Sequence, residues 1–154
     1  MTMMKPSRIV WDAEKTASAN AALKLPELAA AYFQAGRELV GGNASFDALH
    51  RFRLETKRFR YTVELFRPCY GPALDERLAA LEKIQDLLGE INDGVTAQEL
   101  LGRERRSLAP LLERHIAQKR RELNRYWRDS FDAAGRERWW SDYLERFAKE
   151  ESDG

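Results

Sequence analysis

Apolar residues recur along this chain three and four positions apart. That spacing is helical, because residues i, i+3, i+4 and i+7 share a face at 3.6 residues per turn. Sustained alternation of β-branched residues between turn pairs, the mark of a strand, is missing. The 154 residues are therefore expected to form one all-α domain, 1–154, an antiparallel bundle of about four to five long helices. An N-terminal arm, 1–20, and a tail, 150–154, are expected to be loosely ordered.

Proline and glycine divide the chain. The stretch 25-LPELAAAYFQAGRELV-40 reads as a first helix with Pro26 in its first turn. Its apolar face is Leu25, Leu28, Tyr32, Phe33 and Leu39, and Gly41-Gly42-Asn43 ends it. Ser45 is the expected N-cap of a second helix running to about Arg67, where 68-PCYGP-72 breaks it. A third helix is expected from Pro72 to Leu101, with a bend near Asn92-Asp93-Gly94. A fourth runs from Arg103 to Phe131 with Pro110 in its first turns. Ala133-Ala134-Gly135 is a further break before a last helix over 136–149.

The net charge is only +1, so this is not a uniformly basic, nucleic-acid-coating chain. Any anion site must come from local clustering. Such a cluster lies in 50-HRFRLETKRFRYTVELF-66. On a helical wheel Phe52, Phe59, Val63 and Phe66 form a core-facing stripe. Leu54, Tyr61 and Leu65 form a second, about 140° away, which predicts a helix wedged between neighbours. Between the stripes lies a basic strip, His50, Arg53, Lys57 and Arg60, with no acid until Glu64. Arg51 and Arg58 lie on the other polar strip with Glu55 and Thr62. Like charges three and four apart destabilise a helix by a few tenths of a kcal/mol per pair. Two answers are open: some of the chain's 25 acids pair with the strip, or an anionic ligand does.

The fourth helix carries a second basic row, Arg114, Arg121, Arg125 and Arg128 with Gln118. Leu112, Ile116, Leu123, Trp127 and Phe131 lie on another side. The row is either a solvated face or the far wall of a groove that starts at His50. The tryptophans are expected in the core rather than as platforms for bases.

In the third helix Gln85 and Asn92 interrupt the apolar stripe of Leu74, Leu78, Leu81, Leu88 and Ile91, so both need polar partners. Asp86 and Asp93 stack beside them. They are read as carboxylates bracing the basic strip, with a magnesium site as the alternative. Gly89, unfavourable in mid-helix by about 1 kcal/mol, suggests close helix approach.

Other chemistry finds little support. Cys69 stands alone, which excludes an intrachain disulfide and a thiolate cluster. His50 and His115 lack the close spacing of a metal pair, and no nucleophile motif accompanies either. Neither metal nor cofactor is expected, and the chain is not expected to be an enzyme. The opening 1-MTMMKPSRIVWDAEK-15 has no apolar core of a leader, and no run approaches the ~20 apolar residues of a membrane span. A cytoplasmic protein is expected.

The pattern His50-x-x-Arg53-x-x-x-Lys57-Arg58-Phe59-Arg60-Tyr61-x-x-Glu64-x-Phe66 resembles the signature helix of the CHAD domain, the histidine-bearing α-helical domain. Gln85-Asp86-x-Leu88-Gly89 and Asn92-Asp93 resemble the family's second signature, with Tyr70-Gly71 between the two. Trp127 and Phe131, followed by Trp139 and Trp140, resemble its closing W-x-x-x-F segment. The resemblance runs from about Leu25 to Trp140. It covers one of the family's two related helical halves, the second. The CYTH triphosphatase module that often accompanies the family is not visible, since its alternating Glu-x-Glu-x-Lys strand is missing.

The resemblance implies non-catalytic binding of inorganic polyphosphate through basic helical surfaces. His50, Arg53, Lys57 and Arg60 are then the primary contacts. Arg58 matches the motif but points elsewhere on the wheel, and Arg121 and Arg125 are secondary candidates. A nucleic-acid-binding module and an enzyme acting on phosphorylated substrates are the alternatives. A homodimer in place of the missing half, and association with polyphosphate granules, are further expectations.

Overall fold

The computed structural model describes residues 10–101 and 106–149. Expectations for residues 1–9, for the tail 150–154 and for a helix start at Arg103 lie outside them. The described residues form helices without strands.

Helix α1, Ala17–Val40, starts well before Pro26. The Thr16 hydroxyl caps it by accepting from the Ala19 amide at 3.1 Å. Asn20 draws the preceding segment onto the helix: its Oδ1 accepts from the Asp12 amide at 2.8 Å, and its Nδ2 donates to the Asp12 carbonyl at 2.9 Å. Residues 17–20, expected within a loosely ordered arm, are thus helical, and Pro26 is interior to the helix. The long core face of Leu25, Ala29, Tyr32 and Phe33 carries the helix through the lost backbone bond.

Ser45 caps α2, Phe46–Leu65, as expected, accepting from the Ala48 amide at 3.1 Å. The Pro-Cys-Tyr-Gly-Pro break holds a single turn, α3, Arg67–Tyr70, which stops at Gly71 with φ +79°. Helix α4, Leu74–Leu101, is helical throughout, including Asn92-Asp93-Gly94. A 3₁₀ turn, Arg106–Leu108, leads into α5, Ala109–Tyr126, with Pro110 in its first turn. A π turn, Trp127–Phe131, closes α5, and Gly135 at φ +83° starts α6, Arg136–Arg146.

Trp127 organises the core. Its indole sits on Gly36 of α1, where an added Cβ would lie 2.0 Å from Cη2. Tyr32, Phe33, Phe52 and Phe131 surround it with ring centroids 4.8–5.9 Å away. The Tyr32 hydroxyl and Thr56 Oγ1 join α1 to α2 at 2.8 Å, both buried. Helix α4 then packs on α2 along one flank and on α5 along the other, where Gly94 admits Ile116, 2.7 Å from where a Cβ would stand. Helix α6 is fastened by Arg77, whose guanidinium lies 3.6 Å from the Trp139 ring centroid and 3.9 Å from that of Tyr143. It also donates to the Trp139 carbonyl at 2.8 Å. Burial lowers the Arg77 pKa to about 10. Trp127 and Trp140 are core residues, whereas Trp11 is exposed against Phe66.

Two readings of helix surfaces are corrected. Phe52, Phe59 and Val63 are buried as expected, but Leu54 is half-buried, Tyr61 is 39% exposed and Leu65 61%. Helix α2 is therefore not wedged on both sides, and its second apolar stripe faces outward. Gly89 is not the point of close approach either. A Cβ there would meet only Arg53 Nε, at an ordinary 4.0 Å. Gly36 and Gly94 are the tight positions.

Gly36→Ala is expected to destabilise the protein by about 3 kcal/mol or more, because the indole has nowhere to move. Gly89→Ala should stabilise it by about 0.5–1 kcal/mol through helix propensity. Urea denaturation of the two variants checks both signs.

Candidate functional site: a basic groove between α2 and α4

The strip is placed by the phase of α2. With Phe52, Thr56, Phe59 and Val63 turned inward, His50, Arg53, Lys57 and Arg60 fall beside α4. The two helices run antiparallel, and the contacts pair in order. His50 Nδ1 lies 3.2 Å from Asn92 Oδ1. Arg53 passes over Gly89. Arg60 Nη1 donates to Gln85 Oε1 at 3.0 Å. The strip is ~15 Å long at 1.5 Å per residue, and it is braced at its two ends by neutral amides.

This differs from the expected bracing by acids. Asp86 and Asp93 are exposed and make no ion pair among the described residues. They lie about 100° further round α4 than the two amides and point outward. The sole carboxylate paired with the strip, among the described residues, is Glu64, which accepts from Arg60 Nε at 3.0 Å. Arg53 and Lys57 have no hydrogen-bonding or ionic partner there. Arg53 Nε is also fully covered, leaving a buried donor without an acceptor.

At the His50 end lies a cleft of about 430 Å³, its polar lining Ser45, Asp47, His50, Asn92, Thr96 and Glu99 and its apolar lining including Phe46, Leu49, Leu88, Ile91 and Val95. Acids thus stand at both ends, Glu64 at one and Asp47 and Glu99 at the other. Among the described residues no group of three or more histidines, cysteines and acids is arranged to hold a metal ion.

The remaining candidates lie elsewhere. Arg58 is exposed, about 100° from Lys57 on α2. Arg121 and Arg125 are exposed on the outer face of α5. Helix α4 intervenes between that row and the groove. Gln85 and Asn92 meet α2 on one flank, while Glu90, 3.1 Å from Lys119 Nζ, and Gly94 meet α5 on the other. The outward ridge of α4 between them carries exposed Glu82, Asp86 and Asp93. The two basic rows therefore do not face each other across one groove. The amides Gln85 and Asn92 belong to the site but were not among the expected contacts. Their signal was present in the sequence as polar groups on an apolar stripe.

The arrangement defines an α-helical domain in which a row of basic side chains on α2 meets two amides of the antiparallel α4. The sequence matches the family pattern of the CHAD domain over residues 5–102, and the chain belongs to that family. No curated protein and no solved structure matches it. Both signature helices lie within the match, and the Trp127–Phe131 segment and Trp139-Trp140 lie beyond it.

Arg53→Met should leave the fold intact and its stability unchanged or raised by up to about 1 kcal/mol, since it removes an unpaired buried donor. Thermal and urea denaturation provide the check. A loss above about 1 kcal/mol would make Arg53 a structural residue.

Proposed function

We propose that the protein binds inorganic polyphosphate without turning it over, in the groove between α2 and α4. The observation that carries this reading is the set of cations braced by Gln85 and Asn92 and left largely unneutralised. Amides orient a guanidinium or imidazole without cancelling its charge, so the potential of the strip remains available to an anion. Family membership supports the same reading, since CHAD domains are linked to polyphosphate in general terms. Arg53 is the central contact, and Lys57 is the adjacent free charge. Arg60 contributes less because Glu64 already shares it. Arg58, Arg121 and Arg125 supply long-range attraction only.

His50 serves as a hydrogen-bonding contact rather than as a catalyst. Its ring partner is an amide, which does not provide the carboxylate that orients a general base. Among the described residues no helix is long and apolar enough to cross a membrane. Attachment to polyphosphate granules follows from the ligand alone. A homodimer in place of the missing half is proposed, with exposed Tyr61 and Leu65 and half-buried Leu54 as its apolar seam. Light scattering should show a dimer in the absence of polyphosphate at micromolar concentration; a clean monomer mass would remove it.

Arg53→Ala and Lys57→Ala are each expected to weaken polyphosphate binding by about 1–2 kcal/mol. Arg60→Ala should cost less, and Arg51→Ala and Arg121→Ala least, although all five remove one charge. Log affinity should fall linearly with log salt. Calorimetric titration reads both; equal losses at all five positions would replace the groove with diffuse attraction. Competition by RNA at equal charge decides for the nucleic-acid alternative if RNA wins, and phosphate release during the titration decides for an enzyme.

A further inference from the structure

The groove has ends. Between His50 and Arg60 the α2 strip carries Arg53, Lys57 and no acid, over ~15 Å. Past Arg60 comes Glu64, already bonded to it at 3.0 Å. Past His50 the cleft is lined by Asp47 and Glu99. Sideways, the exposed Glu82, Asp86 and Asp93 of α4 stand between the groove and the arginines of α5. A polyanion following the strip meets repulsion in all three directions once it leaves these four residues. Each of these carboxylates would also have to be dehydrated against an anion, which costs more than the distant arginines return.

We infer that the site takes a short run of about five or six phosphates, and that longer chains gain by loading several copies of the protein rather than by a longer contact with one. Polyphosphate carries about one charge per ~3 Å, close to the ~3.4 Å along one nucleic-acid strand. A ~15 Å strip therefore spans about five such intervals. The inference rests on the polyphosphate reading above and specifies its ligand. It makes the domain a counter of short segments. On a long chain, bound copies sit side by side, each with its own stretch, and avidity comes from their number.

The experiment is calorimetric titration of the full chain with polyphosphates of about three, six, twelve and sixty units at fixed salt. Affinity should rise about tenfold or more from three to six units and then change less than about threefold per binding register. Stoichiometry should pass from one copy per chain at six units to many copies at sixty. Affinity that keeps climbing through twelve units and beyond at one copy per chain would overturn the footprint while leaving polyphosphate binding in place. Absence of binding at every length would overturn the polyphosphate reading itself.

A second arm tests the ends. The double variant Glu64→Gln, Glu99→Gln keeps the polar shape and removes one carboxylate from each end, leaving Asp47 in place. It should strengthen the twelve-unit ligand several-fold more than the six-unit ligand. Equal strengthening of both would mean that the carboxylates act through net charge, and the idea of closed ends would fall. Circular dichroism confirms the fold of the variant, since both side chains are accessible.

Discussion

The seat of Trp127 on Gly36 sets the geometry from which the groove follows. The indole reaches α1, α2 and the π turn at once, through Tyr32, Phe33, Phe52 and Phe131. It locks the rotation of α2 about its own axis. With Phe52 and Phe59 turned inward, the basic strip has one available place, the seam with α4. The π turn is part of the same device. Its widened ring, closed by the Asp132 amide on the Trp127 carbonyl at 2.7 Å, lets both Trp127 and Phe131 face the core. The core accepts a cost for this arrangement, because the Trp127 Nε1 donor is buried without a partner.

Once α2 is fixed, the electrostatics of the seam depend on what α4 offers. Carboxylates at 85 and 92 would have made two ion pairs and a neutral seam. Amides there keep each partner's geometry and leave its charge. The contrast with the rest of the molecule is informative. Arg37 is gripped by Asp132 at 2.7 Å and Glu137 at 3.2 Å, and Lys119 by Glu90 and Glu122. The fold therefore has acids and uses them where it fastens helices. On the strip it uses one, at the end.

Much of this was legible in the residues. The inward stripe of α2 and the Ser45 cap follow from spacing and side-chain chemistry, and both stand in the structure. Gln85 and Asn92 were visible as polar groups needing partners, though the acids beside them drew the bracing role. A difference of about 100° around a helix separates a groove-facing amide from a solvated carboxylate. Deciding which faces the groove requires the position of the neighbouring helix. The second apolar stripe misled for the same reason. Periodicity reports which residues share a face, and only packing decides whether that face is covered. The start of α1 was masked by Pro26, which prefers a first turn but is tolerated inside a helix whose core face is long enough. The tight glycines could not be ranked either. Gly36, Gly89 and Gly94 look alike in a sequence, yet two of them receive a bulky neighbour and one faces an arginine.

Two arginines with a buried, unpartnered Nε show how the same residue type does opposite work. Arg77 is almost fully buried, yet aromatic faces on two sides and backbone carbonyls at its ends take up its charge. Its job is complete within the fold, since it ties α4 to α6. Arg53 has no ring, carbonyl or carboxylate among the described residues to answer it. A fold selected for stability alone would fill that position with a methionine or leucine against Gly89. A cation left unanswered beside two others, over a glycine that leaves room for it, is a local inconsistency in the folded chain. It becomes consistent when an anion occupies the groove, because the ligand then supplies the acceptors that the protein withholds.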